Sequence, residues 1–248
     1  MPGEQATLYG LALSHPSHAV RLMLDRKGIE HEFKELLPGF HPVQLRIAGF
    51  REPTVPALKI DGCRLQRSRT ISIELDQICP EPPLFPADPV ERVAVENAER
   101  WGEQELQPVP RRILRWGASD RQQIRRWLGE TAGLLAPGLL GRLNTPIAKR
   151  FAAIAGADEA AVRADLEKLP GQLDRVDELI AAGTIGGPDP NAADFQIGTT
   201  MRTILRFADL RPVVEGRPAA ELGERILPDY GFGVPAFLPP EWLAALRS

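Results

Sequence analysis

The segment SHPSHAV, residues 14–20, contains the side chains whose types and spacing most clearly suggest chemistry. Ser14, Pro16 and Ser17 have the spacing of a redox Cys-x-Pro-Cys turn in which oxygen replaces both sulfurs. A hydroxyl cannot exchange disulfides, but it can donate a hydrogen bond to a sulfur anion, a bond worth roughly 1.5–3 kcal/mol. The turn therefore favours a site in which the sulfur belongs to a ligand.

The same serines can also cap a helix, because helical spacing of apolar residues begins at about residue 17 and runs to about 27. Ser14 is then either a donor to a ligand or the cap of this helix. Ser17 is itself well placed to be the cap, which would leave Ser14 facing a ligand. His15 and His18 are further candidate donors, or solvated turn residues.

Metal chemistry is not expected. The four histidines, at positions 15, 18, 31 and 41, lie close together in the sequence, but no acidic or thiol residue has ligand spacing to them. The two cysteines, Cys63 and Cys79, are too few for a disulfide framework. They indicate a reducing compartment.

Composition excludes several classes of partner. The chain has 30 Lys and Arg against 33 Asp and Glu, a net charge of −3, so no overall field favours nucleic acid or an anionic membrane. The first residues lack the pattern of a secretory signal, and no apolar window is long enough to span a membrane. We therefore expect a folded cytoplasmic protein without nucleic-acid or membrane partners.

The region before residue 79 has mixed α/β character. We predict a strand at 7–13, the helix at about 17–27, a strand at about 31–36 and then a loop. A β-hairpin follows around Asp61-Gly62, a strong turn signal, and a last helix begins near Ser68 as its N-cap. The predicted order is β-α-β, β-hairpin, α.

A Pro-rich stretch, residues 79–89, precedes a region that is helical in pattern. Apolar residues recur at helical spacing, with Pro108, Pro110 and Pro170 expected to kink or break helices. Asn191 and Asp194 have capping-box spacing at the start of the last predicted helix. The ranges predicted to be helical are 89–116, 120–135, 142–155, 158–182 and 191–207.

Four short segments, in this order along the chain, resemble the cytosolic glutathione transferase superfamily, in particular its serine-type members. They are SHPSHAV (14–20), TVPAL (54–58), RSRTI (67–71) and NAADF (191–195). The resemblance implies a thioredoxin-like glutathione-binding domain at 1–79, a linker at 80–89 and an all-α domain with the electrophile pocket at 90–248. It also implies a homodimer that takes a small-molecule electrophile.

The resemblance assigns roles to residues of the first domain. Ser14 would stabilise the glutathione thiolate, and a cis Val55-Pro56 bond would present the Val55 backbone to the ligand's cysteinyl part. The helix N-terminus at Ser68 would bind the γ-glutamyl carboxylate. The residues implied to contact the thiol ligand are His15, Pro16, Val55, Pro56, Gln66, Arg67, Ser68 and Arg69.

Arg67 departs from the family pattern, which commonly has an acidic residue or glutamine at this position to bind the ligand's ammonium group. An arginine cannot pair with an ammonium. Either Gln66 or a residue of a dimer partner takes that role, or the thiol differs from glutathione, or Arg67 points to solvent and the ammonium is weakly held.

The second region offers candidate substrate contacts. In the resembling fold the first helix of this region lines the electrophile pocket, which implies Trp101, Gln104, Pro108 and Arg112 as substrate-binding residues; packed tryptophans and solvated arginines are the alternative. The aromatic and Pro-rich tail at 227–246 would form either a lid or a satellite core.

Three functions remain open. The first is conjugation of glutathione, or a related thiol, to a small electrophile through Ser14. The second is a non-catalytic ligand-binding protein of the same fold, which Arg67 favours. The third, thiol-disulfide exchange, needs a cysteine in the turn, whereas Cys63 and Cys79 lie elsewhere in the sequence.

Overall fold

The computed structural model describes residues 6–131 and 145–246. Its contacts group the chain into two compact units. The first consists of residues 1–103 with 184–199, and the second of residues 104–183 with 200–248. Residues 132–135 and 142–144, which we predicted to be helical, lie outside the described residues.

A four-stranded mixed sheet with flanking helices forms the core of the first unit, as predicted for a thioredoxin-like domain. The strand order is β2-β1-β3-β4, with β1 parallel to β2 and antiparallel to β3. The turn between β3 and β4 has positive φ at Asp61 (46°) and Gly62 (77°), as a type I′ hairpin requires. The elements are β1 Ala6–Gly10, α1 His15–Arg26, β2 His31–Glu35, α2 His41–Ile47, β3 Ala57–Ile60, β4 Cys63–Gln66 and α3 Ser68–Ile78.

Three local predictions for this domain are wrong. The segment predicted as a loop after β2 contains α2, because Leu45 and His41 are buried on one side of it. Helix α1 begins before Ser17, so Ser14 and not Ser17 is its N-cap. Helix α3 begins at Ser68 itself, and Arg67 occupies the N-cap position with φ 73° and without a side-chain cap.

The Pro-rich stretch at 79–89 packs against the first unit through buried side chains and a backbone hydrogen bond. It contains a cis peptide bond between Glu81 and Pro82. Leu84 and Phe85 are buried, and the Leu84 carbonyl accepts a hydrogen bond from Ala192 N at 2.9 Å. Helix α4, Pro89–Trp101, follows and is capped by Asp88, whose side chain accepts from Val90 N and Glu91 N.

Most of the described chain after residue 89 is helical, as predicted, apart from the segment at 227–239. The predicted break near Pro108 is confirmed, since a π-helical turn, Gly102–Leu106, separates α4 from α5. Helix α8, in contrast, continues through Pro170. The elements are α5 Pro108–Asp120, α6 Gln122–Thr131, α7 Thr145–Ile154, α8 Glu159–Ala181, α9 Ala192–Leu205, α10 Arg211–Val214, α11 Pro218–Ile226, α12 Pro240–Leu243 and a 3₁₀ turn, Ala244–Leu246.

The predicted capping box at the start of α9 is confirmed. Asn191 Oδ1 accepts from Ala193 N and Asp194 N, and Asp194 Oδ2 accepts from Asn191 N at 2.9 Å. Asp194 Oδ1 also accepts from Gly186 N at 2.6 Å. A fully buried carboxylate is thus satisfied by backbone donors, and its role is structural.

The C-terminal tail packs as a satellite core in the second unit. Phe237 lies so close to α5 that a Cβ on Gly117 would be 2.5 Å from its ring. Trp116 of α5 stacks against Phe237 and Trp242, with ring centroids 6.2 and 4.9 Å away. Of the two roles open for the tail, packing against α5 is the one observed.

Candidate thiol-binding site

The strand register gathers the predicted site segments at one end of the sheet. In the β1–β3 ladder Tyr9 is opposite Ala57, so the turn after β1 lies beside the Val55-Pro56 segment that precedes β3. Ala57 is also opposite Gln66, the last residue of β4. Arg67 N then donates to Pro56 O at 3.3 Å. Residues 14–16, 55–56 and 66–69 are therefore neighbours, although they are far apart in sequence.

Ser14 caps α1, and it does so together with Ser17. Ser17 Oγ donates to Ser14 Oγ at 2.9 Å, and Ser17 N points at the same oxygen from 3.4 Å. Ser14 Oγ accepts both interactions, so its own proton stays free to be donated elsewhere. Ser14 is half-buried and Ser17 fully buried. Capping and donation to a ligand are consequently compatible at Ser14.

Gly10 permits the close approach of β1 to this turn. A Cβ at Gly10 would lie 2.9 Å from Ser17 Cβ and 2.7 Å from Phe33 Cε2, both too short for a real contact. Only glycine lets the end of β1 pack directly against the residue that holds Ser14.

The two histidines of the turn are buried to different degrees and differ in their partners. His15, the first residue of α1, is 5% exposed, and Pro16 beside it is also buried. His18 Nε2 donates to Ala12 O at 2.8 Å. Burial lowers the pKa of His18 below its ordinary value of 6.5, against the opposing effect of the Ala12 hydrogen bond. A neutral His18 therefore braces the turn through Ala12.

The segment before β3 has the expected cis peptide bond between Val55 and Pro56. Gln66 holds this segment in place: its Oε1 accepts from Glu52 N at 2.8 Å, and its Nε2 donates to Glu52 O at 2.8 Å and Thr54 O at 3.3 Å. Both ends of the Gln66 amide are thus engaged by the 52–54 backbone, and Oε1 has one lone pair left with which it could accept from an ammonium group.

Arg67 pairs with an acid that the sequence analysis did not identify. Its Nε donates to Glu52 Oε2 at 3.0 Å, and both side chains are substantially exposed. This hydrogen bond raises the pKa of the exposed Arg67 guanidinium above its ordinary value. Arg67 is therefore neither simply solvated nor an uncompensated cation. Glu52 places a carboxylate beside the N-terminus of α3.

Ser68 and Arg69 begin α3, and beneath them lies a buried carboxyl. Ser68 is 2% exposed and occupies the first helical position, where the helix amides are free to bind an anion. Arg69 Nε lies 3.7 Å from Glu99 Oε2, and Ser72 Oγ lies 2.5 Å from Glu99 Oε1. Glu99 belongs to α4 and is fully buried.

The candidate substrate residues fall on both sides of the division between the two units. Trp101 belongs to the first compact unit, whereas Gln104, Pro108 and Arg112 belong to the second. Arg112 makes a two-pronged ion pair with Asp165 of α8, through Nε to Oδ2 at 2.5 Å and through Nη2 to Oδ1. The guanidinium is thus already neutralised within its own unit. Gln104 is exposed, and Trp101 and Pro108 are half-buried.

A cleft of about 810 Å³ opens elsewhere in the second unit. Its walls are Asp120–Gln123 with Arg126 on one side and Phe237–Glu241 on the other. Its rim carries two arginines and two acids, and it contains none of the predicted substrate residues.

Neither cysteine lies at the Ser14 turn. Cys63 pairs with Ile60 at the hairpin end of the sheet, the end opposite to the turn. Cys79 follows α3, with its Sγ 3.2 Å from Glu81 O. Over the described residues, no group of three or more His, Cys, Asp or Glu is placed to hold a metal ion. Nor does any described helix have the length and apolarity needed to cross a membrane.

Sequence reasoning missed Glu52, Ser72 and Glu99. Glu52 lies three residues before Val55, and its position in the site depends on the register of Gln66, which no local pattern encodes. Glu99 did leave a signal, because it falls on the same α4 face as Val95 and Ala98, where an acid is unexpected.

Comparison with known proteins agrees with this geometry. Residues 8–83 match the family model for the glutathione S-transferase N-terminal domain. A glutathione S-transferase from Triticum aestivum is 35% identical over 88 residues, a match that covers 36% of this chain and 40% of the wheat protein. The matched sequence is thus well under half of each protein.

Solved structures match over nearly the full length. Glutathione transferase F7 from Populus trichocarpa has a TM-score of 0.61 at 18% identity, covering 98% of each chain. A glutathione S-transferase from Sinorhizobium meliloti also has a TM-score of 0.61, at 19% identity, covering 99% of this chain and 93% of that one. At such identities the likeness shows the fold. The family match and the wheat relative add that residues 8–83 are similar to the glutathione S-transferase N-terminal domain.

Proposed function

We propose that this protein conjugates glutathione, or a closely related thiol, to a small electrophile and that Ser14 stabilises the thiolate. The observation that carries the proposal is the hydrogen bond from Ser17 Oγ to Ser14 Oγ. It leaves the Ser14 proton available at the end of the sheet where the other predicted ligand contacts lie.

The energetics of one hydroxyl are sufficient for this role. A free thiol has a pKa of about 8.5 and is only a few per cent thiolate at neutral pH. A hydrogen bond to the anion worth roughly 1.5–3 kcal/mol lowers the thiol pKa by about 1–2 units. The N-terminus of α1 adds a favourable partial charge at the same place.

The remaining contacts follow from the arrangement of the site. The Val55 backbone pairs with the cysteinyl part of the ligand, and the free amides at Ser68 and Arg69 receive the γ-glutamyl carboxylate. Glu52, whose carboxylate lies beside the same helix end, is the partner of the ligand's ammonium group. This assignment explains how an arginine can stand where the family commonly has an acid or glutamine: Arg67 orients Glu52 and does not face the ammonium itself.

The reaction is a nucleophilic displacement or addition. The thiol proton passes to solvent, the sulfur lone pair forms the new bond to the electrophilic carbon, and either a leaving group departs with the displaced electron pair or the resulting carbanion takes a proton. Ser14 keeps its proton throughout and acts by hydrogen bonding alone.

The alternative of a non-catalytic binding protein is not favoured. It drew its support from Arg67 as an unmatched cation, and Arg67 is paired with Glu52. Thiol-disulfide exchange by the protein's own cysteines is also not favoured, because Cys63 lies at the opposite end of the sheet from Ser14.

We further propose a cytoplasmic homodimer with the thiol domain at 1–79, the linker at 80–89 and the electrophile pocket within 90–248. Two apolar side chains of α4, Val90 and Val93, are 79% and 55% exposed, which supports self-association.

Calorimetric titration with glutathione, cysteine and coenzyme A, paired with a conjugation assay on an activated chloronitroarene, tests the proposal. We expect binding and turnover with glutathione or a close γ-glutamyl analogue. Turnover with none of these thiols, together with no heat of binding, contradicts the proposal.

A further inference from the structure

The proton inventory around Ser72 points to a protonated Glu99. Ser72 Oγ lies 2.8 Å from Arg69 O and 2.5 Å from Glu99 Oε1. Both partners are acceptors if Glu99 is ionised, yet a serine has one proton to give. If Glu99 carries a proton, it donates to Ser72 Oγ and Ser72 donates to Arg69 O. Each short contact then has a proton of its own.

The other oxygen of Glu99 has no hydrogen bond. Glu99 Oε2 and Arg69 Nε are both buried and unbonded, 3.7 Å apart. An ionised carboxylate in a fully buried position would draw its cation into a direct hydrogen bond, because an unpaired buried charge costs several kcal/mol. The wide spacing is what a neutral carboxyl beside an arginine produces.

The surrounding charges agree. Burial raises the pKa of Glu99 to about 8, against the opposing influence of Ser72 and Arg69. Arg69 from α3 is the cation facing it, while Glu96 of α4 and Glu103 just beyond it add repulsion that raises the pKa further. The proton on Glu99 thus persists at neutral pH and is lost in mildly alkaline solution.

The protonation state of Glu99 affects the ligand through Arg69. Its side chain is 27% exposed, so it connects the buried carboxyl to the surface at the first turn of α3. Its buried Nε faces Glu99 and makes no hydrogen bond. The same side chain can compensate the buried carboxylate or a ligand carboxylate at the end of α3, but not both fully.

We propose that Glu99 is a positioning residue whose protonation state decides whether Arg69 is available to the ligand's carboxylate. Protonated Glu99 leaves Arg69 to the ligand. Ionised Glu99 competes for Arg69, pulls it toward α4 and weakens ligand binding. This inference rests on the proposed function, since it requires a ligand carboxylate at α3.

By thermodynamic linkage, ligand binding must also affect the protonation of Glu99. A carboxylate bound at Arg69 adds negative charge near Glu99 and therefore raises the pKa of Glu99 further, so that binding takes up protons near that pKa. Proton uptake is measurable by calorimetry in buffers of different ionisation enthalpy, and it is independent of any catalytic turnover.

The test uses S-methylglutathione, which has the ligand's carboxylates and ammonium but no titrating thiol. Its dissociation constant is measured from about pH 7 to about pH 9.5, a range that brackets the titration of a group near 8. The variants are Glu99→Gln, which cannot ionise, and Glu91→Gln as the matched control, an exposed acid in the first turn of the same helix. Infrared spectra of the unliganded proteins report the protonated-carboxyl stretch.

We expect the affinity of the unmodified protein and of Glu99→Gln to diverge by about fivefold or more above pH 8, in the range of ordinary coupling free energies. Glu91→Gln follows the unmodified protein, and the carboxyl stretch is absent in Glu99→Gln. Parallel pH profiles for the unmodified protein and Glu99→Gln, or no carboxyl stretch at pH 7, overturn the positioning role of Glu99 and leave the proposed function standing. Absence of S-methylglutathione binding at every pH overturns the proposed function and, with it, the positioning role of Glu99.

Discussion

Ser17 Oγ donates a hydrogen bond to Ser14 Oγ over 2.9 Å, and this makes the two serines one functional unit at the start of α1. The buried Ser17 fixes the rotamer of Ser14 and uses its acceptor capacity, so the Ser14 proton is directed away from the helix. The cap and the proposed thiolate donor are the same residue.

Ser14→Ala is expected to lower kcat/KM for conjugation by about 10- to 100-fold, which corresponds to roughly 1.4–2.7 kcal/mol of lost transition-state stabilisation. Glutathione affinity changes little, because the hydroxyl serves the anion. Ser14→Thr keeps a hydroxyl and retains most of the activity. The pKa of the bound thiol, followed by thiolate absorbance, rises in the alanine variant; an unchanged turnover contradicts the assignment.

Ser17→Ala distinguishes the orientation of the Ser14 hydroxyl from its hydrogen bond to the sulfur. The variant keeps the Ser14 hydroxyl but removes the bond that holds its rotamer. We expect a smaller loss of kcat, about two- to tenfold, and a loss of about 1 kcal/mol in the free energy of unfolding for a buried hydrogen bond. Stopped-flow rates and urea denaturation check the two quantities. A loss equal to that of Ser14→Ala would instead make Ser17 the donor to sulfur.

Glu52→Gln tests the assignment of the ligand's ammonium partner. Because Glu52 is partly exposed, we expect only a three- to tenfold weaker glutathione affinity, about 1 kcal/mol. An N-acetylated glutathione, which has no ammonium, should bind the variant and the unmodified protein equally. Glu30→Gln, an exposed acid of the same domain, is the control. Equal losses for both ligands would show that Glu52 acts on the loop and not on the ammonium.

Asp165→Asn tests whether Arg112 is structural. Asp165 is 8% exposed in its side chain, and its removal leaves a half-buried guanidinium unpaired. We expect the free energy of unfolding to fall by about 2–3 kcal/mol, less than for a fully buried pair. Arg126→Met, at an exposed arginine of the same unit, should change it by less than about 0.5 kcal/mol. A stability change confined to substrate-bound protein would restore Arg112 as a substrate contact.

The sequence predicts those parts of the molecule that short-range patterns encode. The Asp61-Gly62 hairpin, the Asn191 and Asp194 capping box and the helical texture after residue 89 depend on a few adjacent residues, and all are observed. Helix α2 was missed because its stability comes from burying Leu45 in the domain core.

The partners of the site residues could not be predicted in the same way. Arg67 with Glu52, Gln66 with Thr54 and Arg69 with Glu99 join residues that the strand register or the packing of α4 brings together. The individual residues were visible in the sequence. Which charge neutralises which is a tertiary fact, and it changed the interpretation of Arg67.

Glu99 also makes a prediction for stability that needs no ligand. The pKa of Glu99 is about 8 in the folded protein against an ordinary 4.5, so between these values the folded state holds a proton that the unfolded state has released. The free energy of unfolding therefore falls as pH rises through this window, by at most about 1.4 kcal/mol per pH unit, and levels off above it.

The variant Glu99→Gln lacks this pH dependence of stability, because its amide does not titrate. The difference in unfolding free energy between variant and unmodified protein, from urea melts across the window, should grow with pH in favour of the variant, whereas Glu91→Gln should show no comparable slope. A difference that is flat with pH would mean that Glu99 is ionised in the folded protein and that Arg69 compensates it permanently.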